Sequence, residues 1–144
     1  MTLYHRTLLF IRVCWELLRC ELVLSVGGFP GLYKGLNRKI RTTGHPGRRE
    51  VWESALCQAV DIVSACYWKR ILCLERSVIT ARVMHSYGIS AEVVIGYAFA
   101  PFFSHAWVEV DGRVVNDSTG YPAKLQVLER IRPEAATEPC FLQT

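Results

Sequence analysis

The stretch "AEVVIGYAFAPFFSHAWVEVDGRVVND", residues 91–117, decides the fold. Its β-branched and aromatic residues give the strand segments "AEVVIGYAFA", "HAWVEV" and "RVVND", and Asp111-Gly112 marks a tight turn between the last two. A histidine, His105, heads one strand, and an aspartate, Asp117, lies twelve residues on. A two-residue turn at Asp111-Gly112 sets Val110 against Arg113 and Ala106 against Asp117, which sends His105 and Asp117 to opposite faces. A three-residue loop, Val110-Asp111-Gly112 with Gly112 left-handed, sets His105 directly across from Asp117, about 5 Å apart at Cβ. The expectation is therefore an odd-numbered loop or a bulge that brings imidazole and carboxylate together.

Upstream of residue 90 the period is helical. Tyr4, Leu8, Ile11, Trp15, Leu18 and Leu22 recur at spacings of four and three, with Arg12, Glu16 and Arg19 on another face. That stripe predicts packing on a core or on a partner helix, with a membrane-surface helix as the third reading. "VGGFPGLYKG" and "TTGHPG" then break the pattern, so residues 26–47 read as irregular or weakly helical linkage. A second helix is predicted over about 48–68, with Trp52, Leu56, Ala59, Val63 and Cys66 on one face. A third, "CLERSVITARVMHSYG", carries apolar residues on more than one side, as a buried central helix does. It ends with His85 in its last turn and Gly88 placed as the residue after the cap. Helices followed by antiparallel strands make an α+β order. The organisation expected is 1–47, amphipathic helix and basic linker; 48–131, catalytic core; 132–144, an extended tail with two prolines.

Of the 144 residues 51% are apolar and 21% charged, which is globular composition with a net charge of +4. No acidic residue occurs between Leu22 and Arg49, whereas Lys34, Arg38, Lys39, Arg41, Arg48 and Arg49 are all basic. A solvated linker is the first reading of that run and an acidic partner or surface the second. No nucleic-acid motif accompanies it, so no nucleic-acid partner is expected. The apolar run near the start is interrupted by Arg12, Glu16, Arg19 and Glu21, which suits neither a signal sequence nor a membrane span. Six cysteines, at 14, 20, 57, 66, 73 and 140, show neither CxxC nor Cys/His ligand spacing. Neither metal nor cofactor is expected, and reduced thiols in a cytoplasm are the reading.

One cysteine is placed for chemistry. A thiol nucleophile needs its proton removed, a base to move that proton and a group to orient the base. Cys73 stands at the start of the third helix, where unpaired N–H groups and the positive dipole end favour a thiolate. Cys14, Cys20, Cys57 and Cys66 fall within helical patterns and Cys140 in the tail, where a small buried hydrophobe is the plain reading; Cys66 is the rival to control. His105 alone reads as a satisfied strand histidine and Asp117 alone as a turn cap. A helix-start cysteine followed by His and Asp on neighbouring strands makes a nucleophile, base and orienter constellation instead.

Those residues resemble a known family. The motif "CLERS", the "YGISAEVVIG" step and the "PFFSHAWVEVDGRVVND" hairpin, in this order and spacing, are similar to the transglutaminase-like cysteine peptidases of lasso-peptide biosynthesis. These are the B proteins, in the form that carries only the protease half. The likeness extends over residues 50–131 and is looser over the first 47. The resemblance implies a transglutaminase-like, papain-like core and a leader peptidase. Cys73 would be its nucleophile, His105 its general base and then acid, and Asp117 the group that fixes the imidazole tautomer. The implied substrate is the leader–core junction of a ribosomal precursor peptide, often with a threonine next to last in the leader. The implied partners are a separate leader-recognition protein and an ATP-dependent lasso cyclase; the chain itself has no GxxxxGK[ST]. The backbone N–H of Cys73 would be one oxyanion donor, with Gln58 or Trp68 among candidates for a second. The rival readings are acyl transfer to an amine by the same three residues, a non-catalytic peptide-binding scaffold, and a helper in peripheral contact with a membrane.

Overall fold

A computed structural model describes residues 3–36, 49–118, 120 and 122–132. Helix α3 packs on a four-stranded sheet, and two further helices pack on α3 and on each other: α1 (Leu3–Leu36), α2 (Arg49–Cys66), α3 (Cys73–Ser86), β1 (Glu92–Phe99), β2 (Phe102–Val110), β3 (Arg113–Val114) and β4 (Gln126–Ile131). The strand order is β3-β2-β1-β4 and every pairing is antiparallel. The expected α+β class is what the chain adopts. The linker and tail residues 37–48 and 133–144, with Cys140, lie outside the described residues.

The helix α3 is central, as its all-round apolar pattern requires: every residue from Ser77 to Met84 is buried. Its end follows the sequence. Gly88 takes a φ of 77°, the N–H of Gly88 donates to the His85 carbonyl, and that of Ile89 donates to the Met84 carbonyl, both at 3.0 Å. This pair of bonds is the Schellman arrangement, and it satisfies carbonyls that the helix leaves open. His85 then locks the step into β1, with Nε2 2.7 Å from the Ala91 carbonyl oxygen and 3.1 Å from the Ala91 N–H.

The structure narrows two expectations for the N-terminal segment. The expected break falls at Gly28, whose φ of 56° and ψ of −155° are not helical, so α1 is two helical segments joined at a kink; the second reaches Leu36 within the expected linkage, and its Leu32 and Leu36 are buried. Gly31 allows the return, because a Cβ there would lie 3.3 Å from Val23 Cγ1. Also, the stripe Tyr4–Leu22 is not what the helix buries. The core takes Leu9, Val13, Leu17 and Cys20 from the opposite side. The helix has two apolar faces, and periodicity alone does not say which one meets the core. A buried ion pair joins α1 to α3, with Arg82 Nε 2.8 Å from Glu16 Oε2, while Arg82 Nη1 donates to the Gly35 carbonyl past the kink.

The sheet is built around Trp107, which is 1% exposed and packs over Gly96 on β1. A Cβ at Gly96 would sit 2.7 Å from the indole, so only glycine admits this approach. The indole Nε1 donates to Glu109 Oε1 at 2.8 Å, and Arg130 Nη1 on β4 holds Glu109 Oε2 at 2.6 Å. Strand β4 is absent from the sequence reading, since "QVLERI" alternates too weakly and all but Ile131 are exposed. It pairs with β1 through a bulge between Ile95 and Gly96.

Gly96→Ala is expected to destabilise the fold by about 1–3 kcal/mol through overpacking against Trp107, read from a urea melt. A second expectation concerns pH. Burial pushes the His85 pKa below its ordinary value of 6.5, against the raising effect of its bond to Ala91, so the fold holds the ring neutral. Its contribution is therefore complete above that value and declines as pH falls and the unfolded chain takes up the proton first. The urea midpoint should drop from pH 7.5 to 5.5, and His85→Gln should flatten that dependence; an equal drop in the variant would assign it to other groups.

Candidate active site

The sequence-derived residues come from three elements: Cys73 opens α3, His105 lies on β2 opposite Gly96, and Asp117 follows β3. The structure joins the last two, with His105 Nε2 in contact with Asp117 Oδ2. The side chains keep 16% and 19% exposure, which shields the pair without sealing it.

The route to this contact corrects the expected loop. Val110 pairs with Arg113 and Glu109 with Val114, so Asp111-Gly112 is a two-residue turn. Both residues take positive φ, 51° and 76°, as the hairpin turn that suits strand twist demands. The offset arises instead at the end of β3. The Val115 N–H still donates to the Val108 carbonyl at 3.0 Å, but the Val108 N–H donates to Asn116 Oδ1 at 2.7 Å. A side-chain amide thus takes the place that the Val115 carbonyl would occupy in a continued ladder. That displaced carbonyl accepts the Cys57 thiol at 3.3 Å. The chain bends at Asn116–Asp117, the face alternation of the strand ends, and the Asp117 carboxylate turns onto His105.

The same asparagine ties the bend to α3. Asn116 Nδ2 donates to Ser77 Oγ at 3.3 Å, Ser77 Oγ donates to the Ala106 carbonyl at 3.0 Å, and Arg76 Nη2 donates to the Asn116 carbonyl at 3.4 Å. Cys73 is one helical turn before Ser77 and so stands above it on the same face. Ala106 adjoins His105, and Asn116 adjoins Asp117. The first turns of α3 are in this way pinned beside the residues that flank the imidazole–carboxylate pair. Sequence reasoning passed over Asn116, Ser77 and Arg76. The available signals were a polar Ser inside an apolar helix and an Asn-Asp pair where a strand should end.

The start of α3 is open to negative charge. Its N-cap is Leu72, which has no acceptor, and no side chain caps the first turn; Glu75 Oε2 accepts the Leu72 N–H itself at 3.0 Å. A Ser or Asp at a cap typically adds about 1 kcal/mol of stability, which this helix forgoes. The N–H groups of the first turn therefore remain directed at whatever anion sits beside Cys73. Of the proposed second oxyanion donors, Gln58 lies exposed on α2 beside Cys57, and Trp68 is 83% exposed in the α2–α3 connection.

The other thiols differ in kind. Burial raises the Cys20 pKa to about 12 and the Cys57 pKa to about 11. Cys14 and Cys66 are exposed, and all five described cysteines are free. Among the described residues no cluster of His, Cys, Asp and Glu could hold a metal ion, and no helix is long and apolar enough to cross a membrane.

A family model described as the transglutaminase-like superfamily matches residues 14–130. A protein of Escherichia coli described as microcin J25-processing protein McjB is 44% identical over 59 residues, 41% of this chain and 28% of that protein. The matched region thus spans little more than a quarter of that relative. No solved structure matches.

Two outcomes are expected. Asn116→Ala should lower stability by about 1–3 kcal/mol, since it strands the buried Val108 N–H, as measured by urea denaturation. Brief iodoacetamide treatment of the folded protein at pH 7.5 should leave Cys20 and Cys57 unmodified by peptide mass mapping, because under about 0.1% of either is thiolate. Rapid labelling of either would show that its burial is transient.

Proposed function

This chain belongs to the transglutaminase-like superfamily, and from that premise we propose that it is a cysteine endopeptidase that cuts the leader from a ribosomally made lasso-peptide precursor. The observation that carries the reading is the His105–Asp117 contact, held by Asn116 and Ser77 beside the uncapped start of α3. The name of the Escherichia coli relative, a processing protein for microcin J25, supports the substrate class.

In this mechanism Asp117 accepts the Nε2–H of His105, which leaves the Nδ1 lone pair as the base. His105 takes the Cys73 proton, and the thiolate attacks the carbonyl carbon of the last leader residue. The oxyanion forms against the backbone N–H groups at the start of α3. His105 then gives its proton to the departing core amine, and a thioester joins the leader to Cys73. Water, deprotonated by His105, attacks that thioester and releases the leader acid and the thiol. Asp117 orients the ring and stabilises the imidazolium. The freed core amine is the group a separate ATP-dependent cyclase would join to a side-chain carboxylate. A distinct leader-recognition protein would present the precursor.

The test incubates the protein with its precursor and recognition protein and follows intact masses. Separate leader and core masses are expected, lost at least about a thousandfold in Cys73→Ala and His105→Ala, reduced about a hundredfold or more in Asp117→Asn, and kept in Cys66→Ala. A leader–amine adduct would establish acyl transfer instead. An unchanged precursor, with all partners folded and bound, would establish a scaffold.

A further inference from the structure

Among the described residues, nothing covers the outer face of α1. Tyr4, Leu8, Ile11, Trp15, Leu18 and Leu22 are 69%, 44%, 60%, 63%, 56% and 65% exposed, while the core is served by Leu9, Val13, Leu17 and Cys20. The six exposed residues follow one another at spacings of four, three, four, three and four, a strict heptad alternation along about 27 Å of helix. Lone exposed apolar residues are ordinary on a protein surface; a continuous row of six large ones is not.

The width and edges of the row identify its occupant. A helix that lies in a lipid surface has a broad apolar face, whereas a seam restricted to two heptad positions is what a second helix fills. Here the flanking positions are polar. One edge carries His5, Arg12 and Arg19, and the other carries Thr7, Cys14 and Glu21. Pairing with a second copy is poorly served by these edges. In a parallel pair Arg12 and Arg19 would meet the other copy's Thr7 and Cys14, and in an antiparallel pair the arginine edge would face itself. Glu21 is committed within the chain to Tyr67 and, at 3.2 Å, to Lys69. Arg12 lies 3.9 Å from Glu16 Oε1, but that buried carboxylate is shared with Arg82, so the net charge along this edge is positive.

We propose that this face is one half of a heterotypic helix pair, and that it docks an amphipathic helix of another protein whose apolar heptad seam is flanked by acidic residues. The partner's Leu, Ile or aromatic side chains would seat between Leu8, Ile11, Trp15 and Leu18, and its carboxylates would lie along Arg12 and Arg19. Because α1 is pinned to α3 through Glu16 and Arg82, such docking would fix the partner relative to the helix that carries Cys73.

The test uses the full chain and a synthetic helical peptide of three heptads, with Leu and Ile at the seam and Glu at the flanks. Matched probes are the same peptide with Lys at the flanks, and vesicles of phosphatidylglycerol with phosphatidylcholine. Titration calorimetry should show binding of the acidic peptide, at least about tenfold weaker for the lysine peptide and weakened again by salt. Ile11→Glu with Leu18→Glu should abolish it while leaving the circular dichroism spectrum and thermal melt unchanged. Equal binding of both peptides, binding to the vesicles alone, or self-association through this face in sedimentation would each overturn the proposal. So would failure of the acidic peptide to bind.

Discussion

The side chain of Asn116 replaces a backbone carbonyl in the β-ladder, and much of the rest is arranged around that substitution. By accepting the Val108 N–H it ends β3 without leaving a buried donor unpaired, which a strand broken in the interior would otherwise do. Its amide nitrogen reaches Ser77 and so registers the sheet against α3. Its position in the chain then makes Asp117 the residue that turns back over β2. One carboxamide therefore terminates a strand, positions a helix and aims a carboxylate.

The surrounding structure is consistent with holding that node still. The β2–β3 turn is fastened to the start of α2, where Arg49 bonds both Glu53 and Asp111 and Arg113 reaches Glu53 at 2.5 Å. On the other side of β2, Trp107 fills the space over Gly96 and is anchored through Glu109 to β4. His105 lies between Phe103 and Trp107, with ring centroids 6.1 Å and 6.4 Å away and near-parallel planes. The imidazole is thus stacked on both sides along its own strand and held by Asp117 at its edge. Such restriction fixes the orientation of the ring.

How much of this the sequence disclosed depends on what kind of signal each part left. The α+β order, the Gly88 cap and the place of the β2–β3 turn, though not its two-residue form, were legible because each rests on local chemistry. The nearness of His105 and Asp117 was legible as a requirement, but its route was not. Strand arithmetic assumed a ladder continued to Asp117, whereas Asn116 breaks it with a side chain, a competition between side-chain and backbone acceptors that no periodicity records. For the stripe on α1 the sequence left core and partner helix both open, for a different reason. Two stripes of similar strength lie on that helix, and only the position of α3 decides between them. The break at Gly28 was legible, but the helix that resumes over 29–36 was hidden by Gly27, Gly28 and Pro30.

The buried pair of Glu16 and Arg82 has a consequence for how this sequence can drift. Removal of either partner strands a charge in the interior, at about 3–5 kcal/mol, a large part of what a domain this size has to spare. Substitution at one position is therefore acceptable only after, or together with, a change at the other. Residues 66 positions apart then behave as a single heritable unit. The helix that opens the chain and the helix that begins with Cys73 cannot be exchanged independently between related proteins, and a chimera joined between them would inherit half of an ion pair.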